Sequence, residues 1–175
     1  LYGDLKEGQS PNVLVIACSD SRVDPAILTG CDPGDMFVVR NVANLVPPYE
    51  TLGAHHGVSA ALEYGIRVLE VGHVIILGHS SCGGIQALME ERKGIQYGEF
   101  ISSWVGIAKS AQNEVLATLA DKPPKDRQKA CEMAAILVSM DNLLTFPWLR
   151  ERVEAGSLHI HGWYFDMDSG ELSTY

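Results

Sequence analysis

No apolar run in these 175 residues is long enough to cross a bilayer as a helix. Basic residues are scarce: 13 Lys and Arg stand against 22 Asp and Glu, a formal net charge of −9. A field of that sign repels phosphate backbones and anionic headgroups, which argues against nucleic acid and membrane as partners. Cysteines number only four, Cys18, Cys31, Cys82 and Cys131. That is too few, too widely spaced, for the disulfide framework of a small secreted domain. No two of them form a C-x-x-C pair, so a dithiol redox module is disfavoured as well. Reduced thiols suit a cytoplasmic or organellar interior, where metal binding or catalysis is the natural use for some of them. Repeats, low-complexity tracts and a charged leader followed by an apolar stretch are also lacking. The chain opens on Leu1 in mid-pattern, and an N-terminal helical segment is expected to precede it.

What is present reads as one domain over residues 1–175, with ordinary fractions of hydrophobic (46%) and charged (20%) residues. Residues 12–17 (NVLVIA), 36–40 (MFVVR) and 73–78 (HVIILG) are short, nearly continuous apolar runs, the signature of strands buried on both faces. Helical spacing recurs over 51–70, 85–92, 100–120, 128–144 and the segment FPWLRERVEAG, with a short helical turn at 25–28. DKPPKD is the clearest linker, residues 158–167 form a late strand, and 171–175 can return beside it as a hairpin partner. Strands alternating with helices predict an α/β fold: a mostly parallel central sheet flanked by helices, with an antiparallel C-terminal edge strand. Ligands on such sheets bind at the carboxyl ends of the strands.

Two clusters follow strands. CSDSR ends the first, and in extended backbone Cys18, Asp20 and Arg22 share a face. HSSCGG leaves the third, with His79 and Cys82 three residues apart at a strand-to-helix turn. Cys18, His79 and Cys82 make a Cys2His donor set. Structural zinc takes four protein ligands, whereas catalytic zinc takes three and keeps a position open for water, so the count favours a catalytic Zn2+. Asp20 is close enough to fill the open position. Arg22, two residues on, can hold it back in a bidentate pair and leave it free to accept a hydrogen bond. Gly83 and Gly84 open the next helix and offer amide groups to an anion.

With both motifs in order, about sixty residues apart, the chain resembles the β-class carbonic anhydrases, whose signature pairs C-x-D-x-R with H-x-x-C. The resemblance runs on through PGDMFVVRNVANLVPPY, EYGI, LGHSSCGGI and HGWYF and covers almost the whole chain. It implies zinc on Cys18, His79 and Cys82, and a catalytic dyad of Asp20 and Arg22. LYGDLKEGQSP looks like the plant-type subgroup. That likeness implies substrate contacts from Gln9 and the Gly83 amide, and an apolar CO2 pocket at Phe37, Val42 and Tyr64. Gln9, Phe37 and Tyr64 would reach in from a neighbouring subunit, so a homodimer or a higher even-numbered oligomer is expected. Related enzymes that carry a second, inhibitory bicarbonate site use a tryptophan, an arginine and a tyrosine. Here Arg40 matches, but Val15 and Phe165 stand at the other two positions, and no such site is expected.

The implied reaction is reversible hydration of CO2 to bicarbonate and a proton. A hydrolase of carbonyl sulfide or carbon disulfide on the same zinc site is the alternative, because those substrates are also linear and apolar. A zinc-stabilised scaffold or bicarbonate sensor without turnover would have no use for the Asp20–Arg22 pair. Cys31 and Cys131 read as packing or surface thiols, His55 and His56 as surface or helix-cap histidines, and His73, His159 and His161 as strand and sheet-edge residues.

Overall fold

A computed structural model describes residues 2–53, 55–91, 94–95 and 97–175. Five strands form one sheet in the order β2-β1-β3-β4-β5: β1 (Val13–Cys18), β2 (Met36–Asn41), β3 (His73–His79), β4 (His159–Asp166) and β5 (Glu171–Thr174). The first four run parallel and β5 pairs antiparallel to β4, as the pattern predicts. Every residue of β1 beyond Val13 is buried, which is why VLVIAC shows no alternation: both faces of this interior strand are covered. The same reading fails for MFVVR: β2 has no fully buried residue and Val38 is exposed, because this strand lies at the edge of the sheet.

The helices are α1 (Tyr2–Leu5), α2 (Pro25–Thr29), α3 (Gly57–Glu63), α4 (Gly83–Glu91), α5 (Ile101–Val105), α6 (Lys109–Thr118), α7 (Pro124–Leu143) and α8 (Pro147–Glu154). On one face of the sheet, Leu14, Ile16, Val74, Ile76 and Tyr164 pack with Leu62 of α3, Ile136 of α7 and Leu149 of α8. The other face is a smaller cluster, in which Val15, Ala17, Ile75 and Leu77 meet Leu28, Trp163 and Phe165.

Three helices depart from expectation. The segment read as helix over 51–70 begins only at Gly57, because Gly53 and His55 take left-handed backbone (φ 104° and 67°), and it ends in a π-helical turn, Tyr64–Val68. The long pattern at 100–120 is broken by a 3-10 turn, Gly106–Ala108, where glycine weakens the helix. In contrast, α7 starts earlier than read. DKPPKD is no linker but the approach to α7, with Pro124 in its first turn, where a missing N–H costs nothing. Helix α4 starts at Gly83, and Arg92, read as its last residue, lies outside the described residues. Among the described residues no helix is long and apolar enough to cross a membrane.

Candidate metal centre

Strands β1 and β3 are neighbours in parallel register, Ala17 opposite Leu77, so Cys18 and His79 both end up at the carboxyl edge of the sheet. Cys82 comes back to them because Ser81 adopts left-handed backbone (φ 56°), a costly conformation for a serine that folds the strand-to-helix turn tightly on itself. Gly84 then lets the start of α4 press on the Val42–Asn44 turn: a Cβ there would stand 2.7 Å from Val42 Cγ1 and 2.9 Å from Ala43 Cβ.

The result is a buried Cys18–His79–Cys82 group whose ligand atoms all lie within 4.8 Å of one another. The two sulfurs are 4.0 Å apart. Two thiolates on a tetrahedral zinc, at bond lengths of about 2.3 Å, would be roughly 3.8 Å apart. His79 Nδ1 bonds the Ser80 carbonyl at 2.9 Å, which fixes the ring and leaves Nε2 for the site. Among the described residues Nε2 is buried and has no hydrogen-bond partner. An orphaned buried nitrogen is costly unless something binds it, so the donor set fits zinc in chemistry, spacing and need. Cys18 is held well below the ordinary thiol range by its hydrogen bond with Cys82, and Cys82 is pushed up by the same bond. Burial opposes charge on His79, but the Cys18 sulfur and the Ser80 carbonyl outweigh it and raise its pKa.

Asp20 Oδ2 lies 4.0 Å from His79 Nε2, close enough to compete for a metal. Arg22 grips the Asp20 carboxylate at both oxygens, Nε to Oδ1 at 2.9 Å and Nη2 to Oδ2 at 2.7 Å, while the Arg22 backbone N–H adds a third bond to Oδ1 at 3.0 Å. The same Nη2 reaches the Ser81 carbonyl at 3.0 Å and ties the dyad to the ligand turn. These hydrogen bonds hold the Asp20 carboxyl far below the usual carboxylate range. The loop carrying the dyad is braced in turn by Arg40, which donates to the carbonyls of Cys18 (2.9 Å), Asp20 (2.7 Å) and Val23 (2.9 Å) and to Asp24 Oδ2 (3.1 Å).

The remaining predicted residues divide. Val42 and Gly83 adjoin the ligand turn, Gly83 exposed as the first residue of α4 and Val42 partly exposed with its carbonyl accepting from Trp104 Nε1 at 2.7 Å. Phe37 and Tyr64 sit together, ring centroids 5.8 Å apart, but Phe37 pairs with Leu14. Four residues of strand, on the order of 13 Å, separate that level from Cys18. Gln9 is exposed before β1. One chain therefore brings Cys18, Asp20, Arg22, His79, Cys82, Val42 and Gly83 together and leaves Gln9, Phe37 and Tyr64 apart. Of the other histidines, His56 precedes α3 without a side-chain capping bond, its Nε2 bonding the Leu52 carbonyl instead, and His73 pairs with His161 at 3.0 Å. Cys131 is buried, and its thiol is pushed up to about 12 by that burial.

Comparison with known proteins agrees with this geometry. The family model for carbonic anhydrase matches residues 13–172. Over 165 residues, 94% of this chain, it is 43% identical to β carbonic anhydrase 5, chloroplastic, of Arabidopsis thaliana. The chain belongs to the β-carbonic anhydrase family. It is 42% identical over 177 residues to β carbonic anhydrase 3 of the same plant, covering 100% of this chain and 68% of that relative. The chain spans 54% of the length of carbonic anhydrase 5. Among solved structures it superposes on the β-carbonic anhydrase CcaA with a TM-score of 0.93 at 34% identity, covering 99% of this chain and 77% of that one. A tetrameric β-carbonic anhydrase of Sordaria macrospora matches with a TM-score of 0.89 at 29% identity, over 99% of this chain and 85% of that one. Hydration of carbon dioxide is the reaction of this carbonate dehydratase family.

Two features at this centre carry no short motif. Arg40 reads from sequence only as a possible anion ligand, and its four bonds into the 18–24 loop depend on the β1–β2 register. Glu132, a buried carboxylate on α7, accepts from the Cys82 N–H at 2.9 Å and lies fifty residues away in sequence. A charged residue on the buried stripe of α7 is the one signal that points to it.

Proposed function

We propose that this chain catalyses the reversible hydration of CO2, with one Zn2+ per chain held by Cys18, His79 and Cys82. The observation that carries the reading is the unpartnered, buried His79 Nε2 facing two cysteine sulfurs, beside an aspartate locked by arginine. Zinc, when bound, lowers the pKa of water from 15.7 to about 7 and so supplies a nucleophile at neutral pH. Asp20 accepts a hydrogen bond from the reacting oxygen and orients it. Arg22 keeps Asp20 ionised and off the metal. Val42 offers an apolar wall to CO2, and the Gly83 amide a contact to bicarbonate.

Phe37, Tyr64 and Gln9 complete the pocket of the neighbouring subunit in a homodimer or larger even-numbered assembly. Their distance from the ligands within one chain supports that reading. The tetrameric Sordaria relatives are consistent with it. Arg40 spends its donors on the dyad loop, which supports the expectation that no second bicarbonate site operates here. Thiolate ligands suit a reducing compartment, cytoplasmic or organellar.

The test is stopped-flow CO2 hydration on zinc-loaded protein, run beside a sulfide-release assay with carbonyl sulfide. Fast hydration with slow sulfide release is expected. The reverse would move the assignment to the hydrolase. A Cys82→Ala protein that kept full zinc would overturn the ligand set.

A further inference from the structure

Glu132 is a buried carboxylate to which the reaction above gives no task. It is 3% exposed, on the face of α7 that packs behind the metal turn. Three donors converge on it. The Cys82 N–H and Gln128 Nε2 reach Oε1 at 2.9 and 3.0 Å, and the Tyr164 hydroxyl reaches Oε2 at 2.8 Å. Burial pushes its pKa up, while all three donors favour the ionised form. Tyr164 is itself 2% exposed, so the network is dry on that side.

A carboxylate held this way is costly, and an apolar residue would pack α7 without the cost. Its place explains it. The Cys82 amide belongs to the same residue as a ligand sulfur, in a turn already strained at Ser81. Two thiolates would balance a dication, and Asp20 is balanced by Arg22, whereas the three groups bonded to Glu132 are all uncharged donors.

We propose that Glu132 is a positioning residue for the metal turn and a fixed counter-charge behind the ion. Through the Cys82 N–H it keeps the thiolate aimed at the site. Its charge holds a dication more tightly and moderates how far that dication acidifies water. The inference rests on the zinc reading above.

The experiment uses native protein and Glu132→Gln, both zinc-loaded. It measures zinc release to a chromophoric chelator and the pH midpoint of CO2 hydration. Gln keeps an oxygen for the Cys82 N–H and loses the charge. Release should accelerate by roughly tenfold or more, the scale for residues that support metal ligands. The midpoint should fall by about one pH unit, because removing a nearby negative charge favours loss of the proton. Tyr164→Phe keeps the charge, so release should stay within about threefold of native and the midpoint should not move. A folded Glu132→Gln protein with native release and native midpoint overturns the proposal. If that variant does not fold, Glu132→Asp is read instead: the charge stays but its reach shortens, so the midpoint holds while release speeds up tenfold, and unchanged release overturns the proposal. Native protein that takes up no zinc sinks the metal reading and this inference together; native uptake with an unchanged variant sinks this inference alone.

Discussion

Arg22→Ala separates the chemical role of the dyad from its structural one. The substitution removes two side-chain bonds to Asp20 and one to the Ser81 carbonyl. The Arg22 side chain is 54% exposed, so solvent screens the pair and its loss should lower Tm by no more than about 2–4 °C in a chain of this size. The effect on turnover should be far larger. Asp20 Oδ2 already stands 4.0 Å from His79 Nε2, and a carboxylate binds zinc at about 2.0–2.2 Å, so a released Asp20 reaches the open coordination position by side-chain rotation. We expect kcat/KM to drop about 100-fold or more with zinc content unchanged, the scale of a lost positioned proton acceptor. The pH dependence follows in sign. Arg22 hydrogen bonds depress the Asp20 pKa, so the stability they confer is present above the ordinary carboxylate value near 4 and is lost only as pH falls through the lower folded value. The Tm gap between native and variant should therefore be constant from about pH 6 to 8, close only in strong acid, and bear no relation to the activity gap. Thermal melts, metal analysis and stopped-flow hydration at several pH values decide it. A variant within fivefold of native activity at full zinc would refute the role given to Arg22, and one that lost its zinc would show the pair to be scaffolding.

Three other outcomes follow. Gly84→Ala should lower Tm by several degrees, since its Cβ meets Val42 and Ala43 below 3.0 Å and overpacking costs about 1–3 kcal/mol; an unchanged melt would refute the close approach. His161 has a pKa lowered first by burial and then by His73 and His159, so the folded chain resists a proton that the unfolded chain accepts below about pH 6.5. His161→Gln should accordingly reduce the loss of Tm between pH 7 and 5, and a native-like acid slope would count against it. Sedimentation across dilution should show hydration activity vanishing as subunits separate, whereas an active species at monomer mass would rule out a shared pocket.

The middle of the sheet is legible because β1 and β3 are buried on both faces: VLVIAC, and VIILG after His73, hold no polar residue until the strand ends. The Cys18–His79–Cys82 group is legible because each half of it is compressed into a few residues. Helix limits are less so. Gly53, His55 and Gly106 break patterns whose apolar spacing continues through them, and the brake is a backbone conformation that periodicity does not register. Glu132 and the bracing by Arg40 escape for a different reason. Both are contacts between segments distant in sequence, and nothing local marks a buried glutamate that faces a backbone N–H from one that faces water.

The ligand strands β1 and β3 lie side by side, yet Cys18 and Cys82 are 64 residues apart, with β2 routed to the outer edge between them. The donor set thus comes into being only after a long loop has closed and a parallel pair has zipped, both slow events. A metal captured there arrives late. It cannot nucleate the fold, and it stabilises contacts formed on the native side of the folding barrier. Such contacts slow unfolding without speeding folding. The centre is a latch: the apo chain should refold about as fast as the loaded one, and differ from it in how long it stays shut.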